Sequence, residues 1–514
     1  MVVILLVAIG LIAFYFYSTR NHSYWSKRNV KHEKPIPIFG NHFRNIFGYK
    51  SITDISEELY NKYKDEKVVG YYRGNTPELI VRDPELVKRI LNVDFAYFYM
   101  RGLTRNDALE PLLLSLFHVE GDRWKLLRQR LTSAFTTHKL KGMFPLVVQC
   151  AGKLQAAAAA LAARAEPYDV RELMARFTTE FIGACGFGIE MDTINNEHSQ
   201  FRDLGKLIFT PSLRSVILIG LIEIYPNLMN YVSVSNKEIE KSILQIFNQI
   251  REQRNYKPIG RNDFVDLLLE LEQKGKIQGE SIEKRDSDGK PIQVEMDLDM
   301  KVMVAQLFVF FAAGFETSSS ATSFTLHQLA YNPDVQTRIQ GDIDRVMTKY
   351  NNKLCYESIS EMKLLDMAFK ESMRMFPSLG VLNRVCAKKY VIPELGITLD
   401  PGVKILIPIQ AIQKDEKYFD NPTEYRPERF TAEAEKERHK FVYLPFGEGP
   451  RACIGTRLGH MQSLAGLAAL LHRFTFEPSA LSSPTLEVNP FSNVVQGIKK
   501  NILLKITERK VKSA

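Results

Sequence analysis

Cysteine is scarce in this chain of 514 residues, and none of it is paired in sequence. Cys150, Cys185, Cys355, Cys386 and Cys453 are scattered, odd in number, and form no C-x-x-C pair. That argues against a disulfide framework or a zinc site and for a reducing compartment. An arginine-rich tract is also missing. Lys and Arg (68) exceed Asp and Glu (59) by nine, spread along the chain, so nucleic acid is a poor partner. A membrane surface or an acidic protein fits that excess better. No internal repeat is visible, and beyond the N-terminus no apolar run looks long enough to span a bilayer.

What is present starts at the N-terminus. Val2 to Tyr17 reads VVILLVAIGLIAFYFY, without a charge. Arg20, Lys27, Arg28, Lys31 and Lys34 follow, against one acid, Glu33. A cleavable signal would end in small residues, whereas aromatic residues close this run. Residues 1–19 therefore read as a transmembrane signal anchor, with Ser18, Thr19 and a snorkelling Arg20 completing the span. The basic residues after it keep the remainder on the cytoplasmic side. Residues 20–40 form a basic linker ending in the proline hinge KPIPIFG, and residues 41–514 a single domain.

That domain reads as mostly α with small β-sheets. Apolar spacing predicts a helix over Ile52 to Tyr63 and short strands at Val68 to Tyr72 and Glu78 to Val81. Further strands are expected near Val385 to Ile392 and Val403 to Ile409. The polar, glycine-punctuated stretch Lys274 to Asp299 is expected to be an exposed connecting loop. The apolar patch VILIGLI, residues 216–222, is either a buried core turn or a surface that dips into lipid.

Chemistry concentrates in FGEGPRACIG, Phe446 to Gly455. A lone cysteine is usually inert packing. Here Gly447, Gly449 and Gly455 clear side chains from around Cys453, so amide N–H groups can donate to a thiolate and a planar ligand can approach. Arg451 is placed to pair with an acid on that ligand, and Phe446 to wall it. A helix starting near Ile454 would lower the sulfur's basicity. A thiolate held this way suits an axial haem iron ligand.

Three other groupings bear on the same site. Glu371 and Arg374 share a helix face at i, i+3 among Met367, Phe369, Met373 and Phe376, with Arg429 a candidate third member. Glu120/Arg123 and Glu435/Arg438 repeat that spacing in charged surroundings and read as surface pairs. Met303 to Ser323 is apolar nearly all round, yet holds Gly314, Glu316 and Thr317. A helix kink with Thr317 bonded back to its own turn, and a dioxygen groove with proton-handling groups, both stay open. Trp124 and Arg128, at i, i+4, put an indole N–H and a guanidinium on one face.

Taken in order, WKLLR, AGFET, ESMR, PERF and FGEGPRACIG resemble the cytochrome P-450 family of microsomal haem-thiolate monooxygenases, over essentially the whole chain. FIGACGFGIE and FVYLPFGEGPRACIG look most like its insect xenobiotic-metabolising branch, although Ala452 and the proline-poor hinge depart from that branch. The resemblance implies a cytochrome P-450 fold and haem b, with Cys453 ligating the iron. Trp124, Arg128, Arg384 and Arg451 would contact the haem propionates. Glu371, Arg374 and Arg429 would be structural, and Glu316 and Thr317 would deliver protons. Segments 112–117, 308–313 and 378–382 would line the substrate cavity, with Phe117, Phe308, Phe311, Ala313 and Leu382 as its walls.

The same resemblance implies NADPH as electron source, a membrane-bound flavoprotein reductase as partner, and cytochrome b5 as a second donor. The expected place is the endoplasmic reticulum membrane. The expected reaction is O2-dependent monooxygenation of lipophilic small molecules such as plant toxins or insecticides. A haem-thiolate isomerase or dehydratase, an endogenous hormone or lipid hydroxylase, and a haem-bound sensor without turnover are the alternatives.

Overall fold

The computed structural model describes residues 1–510 except 104, 197, 198, 262 and 493. Helix α1 (Val2–Thr19) carries no charge, and nearly all its large side chains are exposed. Its 18 residues rise about 27 Å, close to the hydrocarbon thickness of a bilayer. An apolar helix with no polar face is solvated by lipid rather than water. Three later stretches, Thr137–Arg164, Gln200–Ile224 and Met300–Tyr331, are also long and apolar enough to cross a membrane by length and composition. That corrects the expectation of a single such segment, which rested on uninterrupted apolar runs and overlooked runs broken by one or two polar residues. Met300–Tyr331 is mostly folded into the core, whereas Gln200–Ile224 is mostly exposed.

The main sheet holds four strands. Strands β1 (Val68–Arg73) and β2 (Thr76–Val81) form an antiparallel hairpin pairing Val68 with Val81. Their β-branched and aromatic residues are buried, as a sheet packed on a core requires. Next to β2 lies β6 (Lys404–Ile407), in parallel, and beyond it β5 (Leu382–Val385), antiparallel. The strand pieces expected from sequence are therefore present. The helical body is arranged around α5 (Met300–Tyr331), capped by Asp299, whose carboxylate accepts from Val302 N at 2.8 Å. Helices α3 (Val170–Ile182), α6 (Lys363–Met375) and α7 (Thr456–Arg473) pack against it. A Cβ on Gly314 would fall 2.3 Å from Ile182 Cδ1, so this glycine lets α3 approach α5. The helix is continuous through it, and Thr317 does bond back to its own turn, at Ala313 O.

Lys274 to Asp299 is not a loop. Strands β3 (Lys276–Arg285) and β4 (Pro291–Asp297) pair as an antiparallel hairpin. Ile292, Val294 and Met296 alternate with Gln293, Glu295 and Asp297, a period-two pattern that the density of charge obscures. The hairpin lies along α2 (Gly121–Leu131), where Ser281 Oγ and Ile282 N donate to the Asp122 carboxylate at 2.8 and 2.6 Å. Residues 216–222 fall within α4 (Leu213–Ile224), none of whose residues is buried, so they are no core turn.

Glu371, Arg374 and Arg429 meet in a buried cluster. Arg374 Nε and Nη2 donate to the two Glu371 oxygens at 2.7 and 3.0 Å, and Arg429 Nε donates to Oε1 at 3.2 Å. The remaining Arg374 N–H groups reach the carbonyls of Gln413 and Pro422. With every strong donor satisfied, the desolvation of these charges is offset, and removing one partner would strand the others. The two supposed surface pairs do not form. Arg123 pairs with Asp107, Glu435 with Lys370, and Arg438 stacks over Phe419 and Phe430.

Candidate functional site

The loop before α7 is held by its own backbone, with Cys453 N donating to Phe446 O at 2.8 Å. Gly447 and Gly449 adopt φ of +67° and +76°, a region that disfavours other residues. A Cβ on Gly449 would lie 1.9 Å from Leu91 O. That glycine therefore makes room for the protein's own backbone rather than for a ligand, which corrects one part of the expectation. Helix α7 begins at Thr456, two residues later than expected, with Gly455 at its N-cap.

Cys453 is exposed, yet burial pushes its thiol pKa up. The sulfur is thus accessible and yet closely surrounded by protein. Several groups act against burial: the Gly455 backbone, the Thr456 side chain, and the positive fields of Arg128 and Arg101. Each of these favours the thiolate.

Four guanidiniums gather beside the sulfur. Arg451 Nε donates to Tyr99 O at 2.5 Å, and Nη2 to Val119 O at 3.0 Å and to the Glu120 carboxylate. Its guanidinium lies 4.4 Å from the ring centroid of the buried Trp124, which therefore supports Arg451. Arg101 donates to Phe117 O and Arg451 O, at 2.9 and 3.0 Å. Burial lowers all four pKa values: Arg101 to about 10, Arg384 and Arg451 to about 9, and Arg128 more mildly. Arg101 and Arg451 add to the effect at Arg384 by like-charge repulsion.

Glu120 is the carboxylate that answers them, with its own pKa raised by burial. Among the described residues Arg128 has no carboxylate partner, and Arg384 Nε and Arg451 Nη1 are buried with no acceptor. Buried donors without acceptors are costly, so this cluster requires an anionic ligand. A haem, with two propionates and a thiolate below its iron, fits these donors. Arg101 and Glu120 escaped sequence reading because neither has its partner at helical spacing. The available signal was an isolated arginine following the aromatic run of YFYMRG.

Helix α5 supplies the opposite surface. Ala313 is exposed and Val309 and Thr317 are half-buried, a stripe at i, i+4; the neighbouring Phe308, Phe310 and Gly314 are half-buried too, on a helix most of whose other residues are buried. Thr317 Oγ1 donates to Ala313 O at 2.6 Å, and Ser378 Oγ donates to Thr317 O at 3.1 Å. Glu316 lies off that stripe, where Arg171 Nη2 on α3 donates to it at 2.5 Å. The two groups expected to act as neighbours are therefore turned apart, as adjacent residues on a helix must be. Phe308, Leu382 and Phe446 are half-buried, as is Phe117, whose ring lies 4.6 Å from the Arg101 guanidinium. Phe311 is 1% exposed and stacks with Phe187 and Phe315. It belongs to the core, which corrects its assignment to the cavity wall.

The family model described as Cytochrome P450 matches residues 30–505. Cytochrome P450 6B2 of Helicoverpa armigera is 37% identical over 506 residues, covering 98% of both chains. Probable cytochrome P450 6a18 of Drosophila melanogaster is 36% identical over 509 residues, covering 97% of this chain and 98% of its own.

Proposed function

This chain belongs to the cytochrome P450 family of haem-thiolate monooxygenases, and from that membership we propose that it oxygenates neutral, lipophilic small molecules with electrons from NADPH. The observation that carries the site reading is the buried arginine cluster, with its unanswered donors, beside a desolvated cysteine. In this reading Cys453 would ligate the iron as thiolate, and Arg101, Arg128, Arg384 and Arg451 would hold the propionates, with Trp124 stacked on Arg451. Phe446 walls the ring. Bound haem supplies dioxygen activation, and the protein supplies orientation, water exclusion and proton handling. Thr317 holds its hydroxyl on the exposed stripe, where it hands protons toward the gap. Glu316 stands one step behind, paired with Arg171, and acts by releasing that pair.

The proposed substrate class follows from the walls. Phe117, Phe308, Ala313 and Leu382 carry no charge, so an ionised substrate would lose hydration without a partner, at several kcal/mol. The resemblance to the insect branch favours xenobiotics over hormones. The proposed electron donors are a membrane-bound flavoprotein reductase and cytochrome b5, at the endoplasmic reticulum membrane. The Thr317 placement on the stripe favours this reading over an isomerase that needs no external electrons.

The test reconstitutes the protein with reductase and NADPH on neutral and charged analogues of one skeleton. The neutral analogue should be oxygenated in step with NADPH consumption, and the charged one at least about tenfold more slowly. Cys453→Ala should lose both turnover and the red-shifted Soret band of the reduced, carbon monoxide-bound protein. Product without NADPH would identify an isomerase, equal turnover would refute the apolar cavity, and an unchanged band would place the ligand elsewhere.

A further inference from the structure

One buried amide fastens the loop beside the cofactor site to the central helix. Gln306 of α5 is fully buried and all its hydrogen-bonding groups are engaged. Its Oε1 accepts from Leu116 N at 2.8 Å, and its Nε2 donates to Leu114 O at 2.9 Å and Val302 O at 3.0 Å. Seven residues, two turns, separate Gln306 from Ala313, so it continues the stripe that carries Ala313 and Thr317. The far end of the same loop is held by the cofactor arginines, through Arg101 to Phe117 O and Arg451 to Val119 O.

Behind this loop lies spare room. A cleft of about 310 Å3, open to solvent, is lined by Ala108, Leu114, Val119 and Val302 and also by charged side chains such as Asp299 and Lys301. Leu114 and Val119 thus border a space into which the loop can shift. The arginine bonds pin Phe117 and Val119, while Gln306 supplies the side-chain hydrogen bonds that tie Leu114 and Leu116 to α5, beside their apolar packing on that helix.

We propose that Gln306 is a specificity-determining clamp, setting how far the 114–117 wall stands from the haem and so the largest substrate admitted. This rests on the cofactor reading given above. An apolar residue at 306 would leave Leu116 N–H and Leu114 O unsatisfied, and the loop relieves them by moving toward the rear cleft. Bulky ligands gain space and compact ligands do not.

The probes are two azoles that ligate haem iron through nitrogen, phenylimidazole and the much larger tritylimidazole, with Kd read from the Soret shift. Gln306→Leu should tighten tritylimidazole about tenfold, the scale of one buried hydrogen bond, with phenylimidazole changed no more than about twofold. Adding Ala108→Phe, which fills the rear cleft from its exposed rim, should restore the original ratio. The thiolate-type carbon monoxide spectrum reports that each variant keeps its haem. If Gln306→Leu fails to hold haem, Gln306→Glu takes its place; its buried, neutral carboxyl keeps the acceptor for Leu116 N–H and one donor in place of two, and should give a smaller shift of the same sign. An unchanged ratio of the two Kd values in a haem-loaded variant overturns the clamp. Failure of both azoles to shift the Soret band in the unaltered protein overturns the cofactor reading instead.

Discussion

At Thr317 the hydroxyl proton is committed to Ala313 O, in the preceding turn, while the side chain stays half-buried on the stripe facing the gap. A hydroxyl that donates backward leaves its lone pairs free to accept a hydrogen bond and so to position a proton-bearing partner such as water; passing on its own proton requires it to release Ala313 O. Thr317→Ala should keep haem and substrate binding but divert NADPH electrons into hydrogen peroxide. General acid–base groups typically contribute about a hundredfold or more, and water will replace part of that here. The measurement is peroxide formed per NADPH consumed. Unchanged coupling would reduce Thr317 to a helix residue satisfying its own backbone.

Helix α4 raises a question of attachment. None of its residues is fully buried, although Val216, Leu218, Ile219, Ile222 and Ile224 are half-buried, and a polar cluster ties it to the sheet. Glu223 accepts from Arg73 Nη1 at 2.8 Å and lies 3.1 Å from His42 Nε2. The Tyr71 hydroxyl is 2.7 Å from His42 Nδ1, and Glu78 and Lys404 complete the surrounding charges. Burial alone would raise the Glu223 pKa, but His42 and Arg73 reverse this and hold it at about 2. Burial, then Arg73, push the His42 pKa down against the pull of Glu223, and Arg73 Nη1 lies 2.9 Å from its Nε2.

Both shifts favour the deprotonated form in the attached state. Their stabilisation is complete above the free pKa values, about 6.5 for histidine and about 4.5 for glutamate, and is lost as pH falls below each. Hydrogen exchange of the amides of residues 213–224 should therefore accelerate as pH drops from 7 toward 5, after correction for intrinsic rates. Glu223→Gln should raise that exchange already at pH 7. Protection unchanged over this range would mean that α4 is held by something other than this cluster.

Over the whole molecule, the anchor and α4 share one side. Phe14 and Tyr17 of α1 lie 5.9 and 6.3 Å from the Tyr225 ring, and Asn75 Nδ2 donates to Tyr17 O at 3.2 Å. Leu213, Ile217 and Leu221 project from α4 with 76, 53 and 40% of their surface exposed, a patch that lipid would cover. Removing residues 1–19 should end tight anchoring yet leave salt-resistant binding to lipid vesicles. Replacing the three residues with Ser in the truncated form should abolish what remains. A truncated protein that stays wholly in solution at low salt would leave α1 as the sole membrane contact.

Features confined to a few neighbouring residues were readable from sequence. The uncharged run of α1, the nearly all-apolar helix α5, and the glycines framing Cys453 each express a local rule, and the family resemblance rests on such stretches. Partner choice was not readable, because i, i+3 spacing says which side chains share a face but not what stands opposite. Glu120 had Arg123 at that spacing and chose Arg451, more than three hundred residues away. Glu316 turned to Arg171, and the Glu371–Arg374 pair formed because its surroundings are apolar while the other two candidates met competing charges. The β3–β4 hairpin, the arginine cluster and the Gln306 clamp likewise exist only once distant segments pack. Local chemistry determines which element forms, and desolvation in the assembled core decides which charge or amide each side chain must find.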